Sequence, residues 1–501
     1  MLKHIIRGGF LVAGTGIGIK VYENRSSEDS IDDYIRRNYD QDDCHGSSSL
    51  VSKVKCHHHV RVDDAIKSSE RFIRSFMARK LVPGLVVGVS HNGREVWIQG
   101  FGYANIEQLS SIHRESVMRI ASISKSITML LVAKLVEEGK LDLDKPISEY
   151  LDVSKWPVKK WEGKEVRITV RQLVSHLGGI RHYKKDKAVS TVSKSTDTET
   201  TVSKSTHTET TGRKSGLSWF SEKKSVSEGT GEFDGSEYYL RRRFKDVYES
   251  LELFKDDDLI AEPGTKYEYT TMGWTLISAV IQSLLPEGKD FGNYLVKDIL
   301  HDQLGMKDTF LDEHEPIIPN RVNYYVRADQ RPQVSSSAPK SVILNAPYVD
   351  NSYKWAGGGL VSNIPDLLKF GNIMMYSFLG FDPRSGLKGY LKQDTVEEMW
   401  TPNELTAKGQ FWSYGMGWQV IRGEELKKMK TNEGKRLSAS ANGPPFQGVI
   451  AYHSGGAIGA SSALLILPHS NLVIALFCNI QDLSLADLAF QLATYFHPAL
   501  N

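Results

Sequence analysis

A serine followed three residues later by a lysine is a pair that could carry out nucleophilic chemistry, and it occurs several times in this chain. Serines with this spacing include Ser52, Ser122, Ser221 and Ser337. Only Ser122 opens a strongly apolar segment, Ile123 to Glu138, and Gly139 follows it at the position where glycine commonly ends a helix. The others lie in polar sequence. The context therefore favours Ser122, although the spacing alone does not.

The chemistry expected of this pair depends on its helix. Residues three apart share a helix face, so the amine of Lys125 can reach the hydroxyl of Ser122. The neighbours of Lys125 are almost all apolar, and burial disfavours the charged form of a lysine, which could then accept the serine proton. N–H groups at the start of the helix could receive a developing oxyanion. In the structural alternative, Ser122 caps the helix and Lys125 extends its ammonium to solvent.

A tyrosine and a threonine in a later segment could assist. Tyr269 and Thr271 lie two residues apart, where a Pro-Gly turn at 263–264 leads into a predicted helix. A phenol beside an ammonium gives up its proton more easily, so Tyr269 could transfer one. The alternative is a core tyrosine whose hydroxyl is satisfied by the protein.

A histidine, a serine and two glycines follow near the C-terminus. His453 and Ser454 precede Gly455 and Gly456 at the predicted end of an apolar strand. Paired glycines let a ligand approach the backbone closely, which is typical of a sheet edge that lines a substrate site. Taken alone, the pair could instead mark a β-bulge.

These three elements resemble, in order and approximate spacing, the signature elements of serine β-lactamases and DD-peptidases. Further stretches that resemble the family are Ile168–Gly179, Leu304–Thr309, Gly357–Ser362 and Tyr414–Trp418. The resemblance covers about residues 62–498. It implies a β-lactamase/transpeptidase-like fold and acyl transfer through a covalent intermediate on Ser122, with peptides or small acyl compounds as substrates.

The resemblance also implies the roles of the other site residues. Lys125 and Tyr269 would share the general base and acid roles, and which of them takes the first proton stays open. The N–H groups of Ser122 and Gly456 would form the oxyanion hole, and the substrate edge would include Thr271. That edge would also include His453 and Ser454.

Two positions depart from the family pattern. The second element usually ends in asparagine, where this chain has Thr271, and the third usually begins with lysine, where it has His453. In β-lactamases those two residues hold an anionic substrate and its amide. The replacements predict inefficient hydrolysis of β-lactam antibiotics.

One branch of the family is especially similar. The stretches His176–Tyr183 and His453–Ser462 look like its mitochondrial branch in animals. That resemblance implies the mitochondrial intermembrane space, peptidase activity linked to lipid metabolism, filament assembly and contact with a membrane surface. The rival function is a filament-forming scaffold with weak or no catalysis, which would not need Ser122, Lys125 and Tyr269 to be intact.

Composition excludes some other functions. With 62 basic and 60 acidic residues the net charge is +2, whereas nucleic-acid binding normally needs a basic excess, so no nucleic-acid partner is expected. Three cysteines provide no disulfide framework. Cys56 and the histidines at 57–59 lack a second ligand pair at metal-finger spacing, and no nucleotide-binding glycine loop is convincing. We therefore expect neither a metal nor a cofactor.

The chain divides into four predicted parts. Residues 1–22 are basic and free of acids, as in a mitochondrial import segment, with a secretory signal or a frayed terminus as alternatives. A polar linker is expected at 23–61, and a catalytic domain at 62–498. A disordered insertion at about 184–235 contains a polar decapeptide repeated at 191–200 and 201–210.

The predicted fold class is α+β. The domain opens with a helix at 63–80 and a hairpin at Asn92-Gly93, and it closes with three apolar strands and a helix at about 482–496. Helical sequence lies between these ends. We expect an antiparallel sheet built from both termini, flanked by helices, together with a helical subdomain.

Overall fold

A computed structural model of the 501-residue chain describes most of the predicted catalytic domain. The described residues are 50–184, 237–330, 342–382, 386, 388–407, 412–422, 446 and 448–500, with the backbone alone for 50–60. From Val54 onward they belong to one unit. The predicted import segment, the linker before residue 50 and almost all of the insertion lie outside the described residues. Within these ranges, no helix is long and apolar enough to cross a membrane.

The individually predicted helices are present, and further helices lie between them, in the part of the chain expected to be helical. They are α1 (Leu50–Lys80), α2 (Ile123–Glu137), α3 (Val170–Val174), α4 (Val247–Leu251), α5 (Met272–Leu284), α6 (Phe291–Asn293), α7 (Trp355–Gly358), α8 (Ile364–Leu379), α9 (Gln393–Met399) and α10 (Leu485–Leu500). A π-helix, Tyr294–Gln303, continues α6. Short 3₁₀ turns are Ile147–Glu149, Glu237–Tyr239, Ala328–Gln330, Ser352–Lys354, Glu404–Thr406 and Pro468–Ser470.

The first helix corrects one expected boundary. Residues 50–61 were expected to belong to the linker, but they are helical and form the first part of α1. No glycine or proline occurs between Leu50 and Lys80, so nothing in the local sequence ends the helix at residue 62. This stretch is polar and has no apolar periodicity, so the sequence did not predict that it is helical.

The strands form one large antiparallel sheet and three small ones. They are β1 (Gly84–His91), β2 (Arg94–Asn105), β3 (Ser110–Ser111), β4 (Met118–Arg119), β5 (Lys159–Trp161), β6 (Lys164–Val166), β7 (Phe310–Leu311), β8 (Tyr325–Arg327), β9 (Ile343–Asn345), β10 (Leu360–Ser362), β11 (Ser413–Tyr414), β12 (Gln419–Arg422), β13 (Val449–Ala457), β14 (Ala460–Leu467) and β15 (Leu472–Cys478). The large sheet has the order β11-β12-β13-β14-β15-β1-β2-β3. Strands from both ends of the domain therefore meet at its centre, as predicted.

Two helices cover opposite faces of this sheet. On one face, Gly88 lies against Ile364 of α8, where an added Cβ would approach that side chain to 2.3 Å. On the other face, Trp97 stacks on Phe496 of α10, with ring centroids 5.9 Å apart. Gly88 precedes Val89, which pairs with Trp97, so the alternation of the pleat separates the two contacts. The predicted α+β architecture is confirmed.

Candidate active site

Ser122 lies at the N-cap of α2, three residues after Arg119, the last residue of the short strand β4. Ala121, the residue before it, has a φ of +48°, a left-handed conformation that is uncommon for a residue with a side chain. The hydroxyl of Ser122 makes no capping hydrogen bond to the helix. It accepts two other hydrogen bonds, from Lys125 Nζ at 3.0 Å and from Tyr269 Oη at 2.9 Å. The structural alternative, in which this hydroxyl serves as the helix cap, is wrong.

Lys125 is completely buried in the first turn of α2. Besides Ser122, its ammonium group contacts Thr271 Oγ1 at 3.3 Å and the carbonyl oxygen of Gly357 at 2.5 Å. The alternative of a side chain that extends to solvent is therefore also wrong. Burial, and secondarily the positive charge of Lys354, lower the pKa of Lys125 well below its usual value. A lysine in this environment can exist as a neutral amine and accept a proton.

Two histidines fix the backbone of the second element. The N–H groups of Thr270 and Thr271 donate to Nδ1 of His176 and His182, at 3.1 Å and 3.2 Å respectively. The ring of His176 also packs on that of Tyr269, with centroids 4.3 Å apart. Burial, followed by the charge of Lys125, lowers the pKa of both imidazoles, to about 3 for His182. Neutral rings keep Nδ1 free to accept these bonds, so both histidines position Tyr269 and Thr271 beside Lys125.

His453 is buried in β13 and hydrogen-bonded through both ring nitrogens. Nδ1 lies 2.7 Å from the carbonyl oxygen of Ser454, which can only accept, so Nδ1 carries the proton. Nε2 lies 3.0 Å from the hydroxyl of Tyr414 and accepts from it. Burial and the charge of Lys125 lower the pKa of His453 to about 3. The position at which β-lactamases present a cation is therefore occupied here by a neutral imidazole.

The glycines after His453 bring β13 against the turn that carries Ser122. A Cβ on Gly455 would lie 2.5 Å from the carbonyl oxygen of Ile120 and 2.2 Å from Ser462 Oγ. Gly456 is exposed, and a Cβ there would meet nothing within 4 Å, so its backbone faces open space. Half-buried Ser454 precedes both. The register between β13 and β14 is continuous through these residues, so the β-bulge alternative is wrong.

The structure thus brings the three predicted elements together and adds partners that the sequence reasoning missed. His176, Gly357 and Tyr414 occur in stretches that resemble the family, but no role could be assigned to them from spacing. His182 lies six residues beyond His176, and that spacing gave no sign of its contact with the second element. No pattern in the sequence indicated that the charge of Lys354 acts on Lys125.

The serine hydroxyl of this site is hydrogen-bonded to a lysine and a tyrosine. It lies at the start of a buried helix, beside an antiparallel sheet. This arrangement defines the class of serine hydrolases with the penicillin-binding-protein/β-lactamase fold. A family model described as Beta-lactamase matches residues 70–493. The chain belongs to this family.

Relatives and solved structures agree with this class. The human "Serine beta-lactamase-like protein LACTB, mitochondrial" is 38% identical over 465 residues, covering 86% of this chain and 80% of the relative. The cattle protein of the same name is 40% identical over 470 residues, covering 86% and 79%. These names support the mitochondrial location that the basic N-terminal residues predict.

Among solved structures, an octameric penicillin-binding protein homologue from Pyrococcus abyssi superposes with a TM-score of 0.59. It is 20% identical, over 86% of this chain and 77% of that one. A class C β-lactamase superposes with a TM-score of 0.56 at 16% identity, over 91% and 99%. At these identities the likeness shows the fold.

Proposed function

We propose that the protein is a serine hydrolase that forms an acyl-enzyme on Ser122. The observation that carries this proposal is the pair of hydrogen bonds from Lys125 and Tyr269 to a hydroxyl that does not cap its helix. A nucleophile within reach of a base, with the base held by further groups, is the usual arrangement for covalent catalysis. Lys125 is held by Thr271 and Gly357.

In the proposed reaction, Ser122 Oγ attacks a carbonyl carbon while its proton passes to Lys125. Tyr269 then supplies or relays the proton that the leaving group needs. The N–H groups of Ser122 and Gly456 receive the oxyanion, because the close approach of Gly455 to Ile120 brings that part of β13 beside the start of α2. The substrate edge is lined by Thr271, together with His453 and Ser454.

Intact-mass spectrometry of the full chain after treatment with a fluorophosphonate tests this proposal. We expect one adduct, which Ser122→Ala abolishes. Ser126→Ala is the matched control, because its hydroxyl lies in the same helix and donates to the carbonyl oxygen of Gly417 instead. Labelling that persists in Ser122→Ala would assign the reactivity to another residue.

We further propose a peptidase in the mitochondrial intermembrane space with a role in lipid metabolism, acting as a homo-oligomer or filament in contact with a membrane surface. The mitochondrial names of the relatives support the organelle, and the octameric state of the Pyrococcus homologue motivates a test of assembly. Electron microscopy of the full chain is that test. A scaffold without catalysis is the alternative function, and it predicts filaments together with an unreactive Ser122.

A further inference from the structure

One side of β13 is open beside the candidate active site. β12 pairs with residues 449–452 of β13, and none of its described residues pairs beyond Tyr452. On the other side, β14 follows β13 as far as Ala457. Residues 454–457 therefore have one side that no described strand covers. Backbone groups on such an edge can pair with an extended ligand.

Gly456 presents its backbone on this open side. The N–H of Ser454 donates to the side chain of Gln419 in β12, at 3.4 Å, so Ser454 faces the side of β12. Residues two apart in an antiparallel strand direct their backbone groups to the same side, and Gly456 therefore faces it as well. The carbonyl oxygen of Gly456 lies at the same edge as the N–H group that we propose receives the oxyanion.

That carbonyl oxygen is already bonded to a residue from outside the sheet. Tyr238 Oη donates to it at 3.3 Å. Hydroxyl donors usually lie about 2.7–2.8 Å from their acceptors, so this bond is weak enough for a better-placed donor to replace it. Burial raises the pKa of Tyr238 well above its usual value. The phenol therefore keeps its proton and remains a donor at neutral pH.

The turn that carries Tyr238 is held independently of this bond. Tyr238 lies in the short 3₁₀ turn that begins at Glu237. Arg181 donates to both carboxylate oxygens of Glu237, at 2.7 Å and 3.0 Å. Tyr353 Oη donates to the carbonyl oxygen of Glu237 at 3.0 Å. The backbone position of Tyr238 is therefore fixed before any substrate binds.

The ring of Tyr238 is held by contacts that do not involve its hydroxyl. Its centroid lies 5.1 Å from that of Tyr183 and 5.8 Å from that of Tyr239. The ammonium of Lys354 lies 4.8 Å from the ring centroid of Tyr238 and 5.4 Å from that of Tyr183. Ring pairs and cation–π contacts depend on the ring alone. A phenylalanine at position 238 would therefore keep these contacts and lose only the bond to Gly456.

A peptide that lies along the open side of β13 would bring an amide N–H to the carbonyl oxygen of Gly456, because extended backbones pair through these groups. Since this oxygen points to the open side, the phenol of Tyr238 lies where that N–H would approach. We propose that Tyr238 is a specificity-determining residue whose hydroxyl competes with the amide N–H of a substrate for the carbonyl oxygen of Gly456.

This competition distinguishes two classes of acyl substrate. A substrate of the peptide class has to displace the hydroxyl of Tyr238, whereas an ester without an N–H at that position does not. Tyr238 thus disfavours substrates that donate an amide N–H relative to those that do not. The inference rests on the proposed acyl-enzyme function and adds a selectivity to it.

The test uses two activated esters that differ in one group. The 4-nitrophenyl ester of N-acetylglycine carries an amide N–H, and that of 4-oxopentanoic acid has a CH₂ group in its place. Single-turnover release of nitrophenol by the full chain measures acylation of Ser122, and intact mass verifies the adduct. The ratio of the two rate constants is compared between variants, because the intrinsic reactivity of the esters then cancels.

Tyr238→Phe should raise this ratio in favour of the N-acetylglycine ester by about fivefold, the scale of one neutral hydrogen bond. Tyr238→Leu, which also lacks the hydroxyl, should give the same rise. Tyr239→Phe is the matched control, because that hydroxyl donates to the carbonyl oxygen of Gln330, at 3.4 Å, and its removal should leave the ratio unchanged. A general disturbance of the site would slow both esters alike and would not change the ratio.

An unchanged ratio in the Tyr238 variants overturns the assignment, and an equal rise in Tyr239→Phe overturns it as well. Circular dichroism verifies that each variant is folded. Failure of the fluorophosphonate to label Ser122 in the wild-type chain would instead remove the proposed function on which the inference rests.

Discussion

The hydroxyl of Tyr414 donates to Nε2 of His453 across 3.0 Å, and this contact fixes the histidine as the neutral tautomer with its proton on Nδ1. Protonation of Nε2 would place a charge in a buried site and would break the bond from Tyr414. The charge of Lys125 acts in the same direction. The electrostatics of this part of the site thus depend on a hydrogen bond between β11 and β13.

The first prediction concerns stability at low pH. The pKa of His453 is about 3 in the folded protein, against an ordinary value of about 6.5 for an unfolded chain. Between these two pH values the unfolded state binds a proton that the folded state does not. The free energy of unfolding is therefore unaffected by this histidine above about pH 6.5 and decreases as the pH falls below that value. The slope contributed by one such histidine is about 1.4 kcal/mol per pH unit. Urea unfolding at pH 7, 6 and 5 should show this loss.

His453→Gln should reduce the number of protons taken up on unfolding by about one, and the slope accordingly, because glutamine does not titrate. His176 and His182 remain in the variant, and their lowered pKa values should maintain part of the pH dependence. An unchanged slope in His453→Gln would contradict the assigned direction of its pKa.

The second prediction identifies the base. Arginine keeps the positive charge at position 125 but cannot lose its proton at neutral pH. Lys125→Arg should therefore slow acylation of Ser122 by about 10²-fold or more, the usual scale for losing a general base. Single-turnover release of nitrophenol from an activated ester measures this rate, with circular dichroism to check folding. If Lys125→Arg keeps a near wild-type rate while Tyr269→Phe does not, Tyr269 is the base.

The third prediction uses two adjacent glycines that differ in their surroundings. Gly455→Ala would push a methyl group to 2.5 Å from the carbonyl oxygen of Ile120, whereas Gly456→Ala would enter open space. Overpacking of this kind costs about 1–3 kcal/mol. Chemical denaturation should show that loss for Gly455→Ala and an almost unchanged stability for Gly456→Ala. Equal effects of the two changes would contradict the close contact between β13 and the turn before Ser122.

The fourth prediction concerns the disordered insertion expected at about 184–235. Described residues on its two sides are joined, because Arg181 donates to both carboxylate oxygens of Glu237, at 2.7 Å and 3.0 Å. Both side chains are largely buried, and Arg181 also contacts Asp257. Since this contact holds the two ends, a short Gly/Ser linker in place of 185–235 should change the melting temperature little. Doubling a closed loop costs only about 0.6 kcal/mol.

Glu237→Gln is the matched variant for this experiment. It removes one charge from the pair that joins the two ends, so it should lower the melting temperature more than the linker exchange does. A fall of several degrees caused by the linker alone would mean that the replaced segment contributes to the stability of the domain.

Much of the fold could be predicted because its local signals agree with its tertiary structure. Asn92 and Gly93 both have positive φ, as the predicted hairpin turn requires, and the three apolar strands predicted near the C-terminus are present as β13, β14 and β15. The start of α1 could not be predicted, since Leu50–Val60 offers helix-compatible residues without an apolar face.

The site was predictable where chemistry follows helical spacing and unpredictable where it depends on distant contacts. Ser122 and Lys125 are one turn apart, so their contact follows from geometry. Lys354 is separated from Tyr183 by most of the helical subdomain, and no periodic pattern relates the two. The neutral state of His453 likewise depends on Tyr414, which lies in another strand.

The order of strands in the large sheet has a consequence for biosynthesis. β1 is among the first strands to leave the ribosome, yet one of its neighbours, β15, is among the last, with Leu85 paired to Cys478. Until β15 emerges, one edge of the largely apolar strand β1 remains without its hydrogen-bonding partner, and such edges promote aggregation. Pairings this distant in sequence also form slowly. The nascent chain must therefore wait for its C-terminal hairpin before the sheet can close, and a chain that stops before Leu472 should aggregate rather than fold.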